Sequence, residues 1–299
     1  MKDFTGKVAV ITGAAHGFGR EIARTAAAHK MRLFLADIEA AALTTVTQEL
    51  QEQGTEVVMQ QTDVTDEQAV AALIDAVMQH YGKIDLVVNS AGIALGNFVW
   101  DLPTRDWEWI LHADFLSQVY VMKRVIPLML KQQTPADVIN VASVGGLTCG
   151  PTLSAYAAAK AASIAMTESV AYDLQAIKAD IHLHLFCPAF YQTDLGQSEK
   201  RRPAKYTELT DPYYQSPAYK AALKQSQAFL DQGASLETVG PVIFKGLAEN
   251  TFMITTHQKL APFIEDRTHR HLTGQQPSLA LFNQYLPLME DELPPDLLD

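Results

Sequence analysis

Ser143, Tyr156 and Lys160 stand close enough in the chain, and are of the right types, to handle a proton. Tyr156 and Lys160 lie four apart at the opening of an alanine-rich stretch, so on a helix they share one face. A free phenol has a pKa of about 10 and is a poor acid or base at neutral pH. A neighbouring ammonium favours the phenolate and draws that value toward the working range. A serine hydroxyl arriving from another element can hold a substrate oxygen between them. The three together suit moving a proton on or off an alcohol or carbonyl. A Tyr–Lys pair with this spacing also arises on any alanine-rich helix, so support must come from elsewhere in the chain.

That support begins at the N-terminus. Thr12-Gly13-Ala14-Ala15-His16-Gly17-Phe18-Gly19 follows a short β-branched run and opens a helical pattern. Glycines there let the backbone turn tightly and approach a pyrophosphate, and the helix N-terminus supplies N–H groups to the anion. Asp37 ends the next predicted strand, about 20 residues further on, where a carboxylate accepts hydrogen bonds from an adenosine ribose diol. It would repel a 2′-phosphate, so NAD is expected over NADP. Ile38 adds no positive charge, and a protonated His16 would soften the preference. The alternative role for Asp37 is a cap for the following helix.

The elements that must position these residues alternate. Strands are predicted at 8–12, 32–36, 56–60, 86–89, 138–142, 182–187 and 252–255. Helices are predicted at 17–29, 39–53 (stopped by Gly54), 67–81 (closed by Gly82), 106–131, 156–177 and 237–249. Alternation of this kind means βαβ units and an α/β fold. We expect a doubly wound, mostly parallel sheet with helices on both faces and ligands at the carboxyl ends of the strands. Residues 190–235 break the rhythm with Pro203, Pro212, Pro217 and four tyrosines, and are expected to form a helical substrate lid. Residues 1–260 are expected as one oxidoreductase-type domain. Residues 261–299, acidic yet carrying Leu279, Leu281, Phe282, Tyr285 and Leu286, are expected to pack on their own subunit or a neighbour.

Composition narrows the class. With 48% hydrophobic residues, the 299-residue chain can bury a sizeable core. A net charge of -11 argues against a nucleic-acid partner. Two cysteines imply no disulfide framework, and no stretch reads as a signal or membrane span, so a soluble cytoplasmic protein is expected. A metal site is not expected. His182 and His184 share a strand face without a third ligand at metal spacing. Ser143 lacks the Gly-x-Ser-x-Gly elbow of a serine hydrolase.

These motifs, in this order and at these separations, resemble the short-chain dehydrogenase/reductase family, strongly over residues 5–195 and more loosely over 236–256. The glycine motif spans 12–19, Asp63-Val64 matches the adenine-contacting pair, and Asn89-Ser90-Ala91-Gly92 matches an Asn-Asn-Ala-Gly motif with one change. Ser143, Tyr156 and Lys160 match the catalytic trio, and Pro188 and Thr193 match the segment after the sixth strand. The resemblance implies an oxidoreductase in which Tyr156 is the general acid or base, Lys160 lowers its pKa and binds the nicotinamide ribose, and Ser143 orients the substrate oxygen. It further implies that Thr193 contacts the nicotinamide carboxamide, and that the protein is a homodimer or homotetramer. Two positions depart from the pattern. Asp114 stands where the family has an Asn that helps hold a relay water, and Pro188-Ala189 replaces Pro-Gly. An ionised Asp114 can accept but not donate a hydrogen bond; it can pair with Lys160 through water or alter the pH profile, and the alternative is that its backbone carbonyl, rather than its side chain, holds the water.

The expected pocket wall is apolar: Leu95, Phe98, Val144, Leu147, Leu153, Phe190, Tyr191 and the lid. It suits a bulky hydrophobic or aromatic secondary alcohol or its ketone. The Arg201–Tyr206 segment resembles the lid of relatives that oxidise benzylic alcohols in lignin-type aryl ethers, while steroid-type alcohols fit the same chemistry. Lys200, Arg201 and Arg202 read as a solvated face. The rival readings are an NADPH-preferring ketone reductase and a non-catalytic dinucleotide-binding regulator, which would often lose Tyr156 or Lys160.

Overall fold

The computed structural model describes residues 1, 3–208 and 210–289. Seven parallel strands form one sheet: β1 (Val8–Thr12), β2 (Arg32–Asp37), β3 (Val57–Gln61), β4 (Leu86–Asn89), β5 (Ala136–Val141), β6 (Ile181–Cys187) and β7 (Met253–Thr255). Their spatial order is β3-β2-β1-β4-β5-β6-β7. The order reverses between β1 and β4, which opens a crevice at their carboxyl ends. The α/β doubly wound architecture is the one expected.

The main helices are α1 (Gly17–Ala28), α2 (Ala40–Glu52), α3 (Glu67–Tyr81), α4 (Thr104–Leu111), α5 (Ser117–Gln132), α6 (Val144–Thr148) and α7 (Ser154–Ala176). After β6 come α8 (Pro212–Gln215), α9 (Pro217–Leu230), α10 (Val239–Glu249), α11 (Ala261–Thr273) and α12 (Leu279–Tyr285). Side chains alternate across a strand, so β1 feeds two cores at once. Ala9 and Ile11 pack with Ile22, Leu43, Leu50 and Phe244 on one face. Val8 and Val10 pack with Val70, Ile74, Val121 and Val125 on the other. Local chemistry marks the ends: Asp66 caps α3 by accepting from the Gln68 N–H, and Gly82 closes it at φ 70°.

One predicted helix differs from the structure, and one observed helix is not among those predicted. The expected single helix over 106–131 begins at Thr104 and is interrupted by a π-helical turn at His112–Leu116. One extra residue in that turn rotates Asp114 inward to full burial, which a 3.6-residue pattern does not foresee. The short helix α6, whose N-cap is Ser143, has two glycines in five residues and gives no periodic signal. The 190–235 segment is helical as expected: two 3₁₀ turns (Leu195–Arg201 and Ala204–Tyr206) lead into α8 and α9.

Arg202 corrects the reading of 200–202 as a solvated face. Its side chain is 6% exposed, paired with Asp106 at 2.7 Å and with Glu199, and stacked over Trp109 at 4.4 Å. Tyr191 is also not a pocket wall: it is fully buried in the core against Phe18. The described tail packs on its own chain, with Phe263, Phe282, Tyr285 and Leu286 against Val144, Ala189 and Phe190. Residues 290–299 of the predicted extension lie outside the described residues.

Candidate active site

Two glycine contacts shape the crevice. Gly13 has φ 66°, and a Cβ there would lie 2.7 Å from the Ala91 Cα and N, so the loop after β1 lies directly on the loop after β4. A Cβ on Gly19 would lie 2.1 Å from the Gly13 carbonyl oxygen, so α1 starts tight against its own loop. The resulting pocket is lined by Gly13, His16, Gly17, Phe18, Asp37, Asp63, Val64, Ala91, Gly92 and Thr193, all sequence candidates. Gly19, Asn89 and Pro188 do not line it and support it from beneath. Asn89 is buried and donates to the Asn140 side-chain oxygen (2.8 Å), and Pro188 accepts from the Val144 N–H (3.0 Å). The lining adds Ser90 of the Asn89–Gly92 motif, Arg201 and Pro203 of the lid segment, and residues without a motif signal: Thr62, Thr65, Ile93, Trp109, Ala113, Asp194 and Leu195. Several come from the 190–235 segment, whose position over the pocket is a tertiary fact.

Asp37 is buried, and its Oδ2 accepts from the Ala15 N–H (2.9 Å) and its Oδ1 from the Glu39 N–H (3.0 Å). It therefore ties the glycine loop to the end of β2 while lining the pocket. Asp63 accepts from the N–H and hydroxyl of Thr65 (2.9 and 2.6 Å) and pairs with Lys205 at 3.3 Å. His16 lies between Glu39 and Asp194, and Asp194 also holds Arg201 at 2.6 Å. The hydrogen bond to Asp194 is the largest influence raising the His16 pKa, with burial opposing it. When protonated, His16 is matched by these two carboxylates.

The residues fit a dinucleotide. Tight glycines and the α1 N-terminus suit a pyrophosphate, and Asp37 at the end of β2 suits a ribose diol.

Ser143, Tyr156 and Lys160 come together beside this pocket at the ends of β5 and α7. Ser143 Oγ accepts from the Gly145 N–H (3.0 Å), which leaves its own hydrogen to donate outward. Lys160 Nζ lies 5.6 Å from the centre of the Tyr156 ring and donates to the Val141 carbonyl (3.1 Å). A Cβ on Gly145 would lie 3.2 Å from Tyr156 Cε1 and 3.3 Å from Ser143 Oγ, so the glycine leaves these two side chains room. Burial pushes the Tyr156 phenol above its ordinary pKa; Lys160 opposes that rise, Asp114 adds to it and a hydrogen bond with Ser143 opposes it. The lysine therefore acts in the expected direction, but desolvation is larger. Asp114 pairs with Lys160 directly, at 3.0 Å, rather than through water.

The predicted wall residues divide. Leu95 packs with Trp109 and Tyr206, Val144 and Phe190 meet the tail, and Phe98 is 48% exposed and stacks on Trp100. The Ala189 methyl group lies in the tail cluster. His184 is held between Asp137 (2.8 Å) and the Thr251 carbonyl (2.7 Å), a structural arrangement.

Comparison with known proteins agrees with this geometry. The short chain dehydrogenase family model matches residues 7–204. A "CLA biosynthesis dehydrogenase/reductase" of Lactiplantibacillus plantarum is 47% identical over 283 residues, covering 95% of this chain and 99% of that protein. The crystal structure of a short chain dehydrogenase/reductase from Burkholderia phymatum in complex with NAD superposes with a TM-score of 0.89 at 33% identity, covering 93% of this chain and 98% of that one. LigD from Sphingobium, in its apo form, shares the fold with a TM-score of 0.73 at 23% identity, over 92% of this chain and all of that one. The crevice at the sheet reversal, the glycine loop and these likenesses agree: the chain belongs to the short-chain dehydrogenase/reductase family, whose members are NAD(P)-dependent oxidoreductases.

Proposed function

We propose that this oxidoreductase uses NAD to interconvert a bulky hydrophobic secondary alcohol and its ketone, with Tyr156 as general acid and base. The observation that carries the reading is the meeting of Ser143, Tyr156 and Lys160 beside a pocket suited to a dinucleotide. When bound, the cofactor supplies the hydride acceptor or donor. In oxidation, Tyr156 as phenolate takes the proton from the substrate hydroxyl. In reduction, its phenol returns that proton to the carbonyl oxygen. Ser143 donates a hydrogen bond to the same oxygen and holds it against Tyr156. Lys160 stabilises the phenolate, and its ammonium would help to hold the ribose of the bound cofactor.

Asp37 favours NAD, because a 2′-phosphate would meet its carboxylate and that of Glu39, while His16 is already paired. For the substrate, the relative in L. plantarum named for CLA biosynthesis matches nearly the whole chain and is the likeness that bears on substrate class. An apolar surround including Val144, Phe190 and Phe282 suits a long-chain hydroxy fatty acid or its oxo counterpart. The benzylic reading rests on the lid segment alone.

The test is turnover on a panel of hydroxy fatty acid, aryl and steroid alcohols with NAD and with NADP. Tyr156→Phe removes the group that exchanges the proton. We expect kcat to fall at least about a hundredfold with NAD affinity kept. Near-normal turnover in that variant refutes the mechanism, and preference for NADP refutes the role given to Asp37.

A further inference from the structure

The fully buried Asp114 sits at the foot of the proton-handling pair, against Lys160. We propose that Asp114 is a positioning residue that acts through Lys160 to hold Tyr156 protonated to higher pH, and so sets the pH at which the alcohol-oxidising form appears. The inference rests on the reading of Tyr156 as the proton-handling group and deepens it.

The geometry is specific on every side of the carboxylate. The π-helical turn His112–Leu116 turns Asp114 into the site. Its Oδ1 accepts from the Ile93 N–H at 2.8 Å, which fixes the plane of the group. Its Oδ2 lies 3.0 Å from Lys160 Nζ, with the two side chains 0% and 5% exposed. Gly92 leaves the space for this contact: a Cβ there would lie 3.3 Å from Asp114 Oδ2 and 3.4 Å from Lys160 Nζ. Lys160 also donates to the Val141 carbonyl, so its ammonium is held from two directions.

An anion at this distance changes what Tyr156 feels. A lone buried ammonium would strongly favour the phenolate. An ammonium already matched by a carboxylate presents a smaller net field, and the phenol keeps its proton to higher pH. The other groups bearing on the site do not restore that field. Cys187 on β6 is raised to about 12 by burial and stays a neutral thiol. Glu168, farther along α7, acts on Cys187 and adds negative charge. Ser143 at the start of α6 is a neutral hydroxyl, though its hydrogen bond favours the phenolate. Asp114 itself adds to the rise in Tyr156, as the arrangement requires. Burial raises the Asp114 carboxyl above the ordinary carboxylate range, and the Lys160 ammonium and the Ile93 N–H oppose that rise by favouring its carboxylate. Lys160 is held above its ordinary value, with burial opposed by Asp114, and remains an ammonium.

The experiment is the pH profile of kcat/KM for alcohol oxidation in the parent and in Asp114→Asn, with NAD affinity measured alongside. Oxidation needs the phenolate, so the profile rises with pH through the Tyr156 pKa. Asp114→Asn removes the anion and keeps the shape and the acceptor for Ile93. The rise should move down by about one pH unit, with NAD affinity kept within about twofold. A rise unmoved within about 0.3 unit overturns the proposal, since Asp114 is then neutral or without influence. A loss of NAD binding with the rise unmoved also overturns it and assigns Asp114 a structural role. Asp114→Ser is the second neutral variant, and failure of both to fold counts against the proposal in the same way. A parallel ultraviolet titration, taken as the difference from Tyr156→Phe, reads the phenolate directly and should show the same downward shift. Adding Tyr156→Phe to Asp114→Asn separates the two readings. Activity surviving in the double variant sinks the Tyr156 mechanism, whereas lost activity with an unmoved rise in the single variant sinks only the role of Asp114.

Discussion

Arg202 anchors the 190–235 segment to the body of the protein, and its removal gives the sharpest energetic prediction. Its guanidinium donates to Asp106 Oδ1 at 2.7 Å, to the Tyr206 carbonyl at 3.1 Å and to Glu199 Oε2 at 2.9 Å. It also lies 4.4 Å over the Trp109 ring and 5.0 Å over that of Tyr214. Asp106 has no exposure, so Arg202→Ala leaves a buried carboxylate with, among the described residues, only the Tyr214 hydroxyl (2.7 Å) as a side-chain donor. Breaking a buried pair in this way costs about 3–5 kcal/mol. The lower figure corresponds to a roughly hundredfold change in an equilibrium constant. Two outcomes express it: global destabilisation of that size, or local release of the segment while the sheet stays folded. Urea unfolding followed by tryptophan fluorescence reads the first, and the rate of native-state tryptic cleavage within 195–235 reads the second. Arg202→Met with Asp106→Asn removes the buried carboxylate along with its partner and should recover most of the loss, because the acid that stays behind, Glu199, is 25% exposed and reaches water. A single Arg202→Ala variant within about 1 kcal/mol of the parent, with unchanged cleavage, would refute the anchoring argument.

Gly13→Ala should abolish NAD binding or misfold the crevice, since φ is 66° and the added carbon meets Ala91 backbone at 2.7 Å; near-parental affinity by calorimetry would contradict the close approach. His16 gives a pH signature. Its folded pKa is raised, so its pairing with Asp194 and Glu39 contributes stability fully below the ordinary histidine value, and that contribution fades as pH rises through the raised value. Thermal unfolding between mildly acidic and mildly alkaline pH should show this fading in the parent and less of it in His16→Asn. Equal slopes in the two proteins would exclude His16 as the source.

Sequence by itself determined the sheet, the glycine loop and the candidates for proton handling. Strand and helix periodicities are local, and motifs such as Thr12–Gly19 and Tyr156–Lys160 require a particular neighbour at a particular spacing. The alternation of Val8–Thr12 between two cores follows directly from the pleat. Tertiary structure decided what these residues meet. Arg202 looks like one more surface cation in a basic run, yet long-range packing buries it against Asp106, nearly a hundred positions away (|i−j| = 96). Asp194 and Arg201 reach the pocket because the 3₁₀ turn Leu195–Arg201 and its flanks fold back onto the crevice. Asp114 shows the division most sharply. Its place in the chain singles it out, but a π turn rotates it inward, and the missing side chain of Gly92 lets it reach Lys160 without an intervening water. A charge's effect depends on distance and burial, and neither is a property of the local sequence.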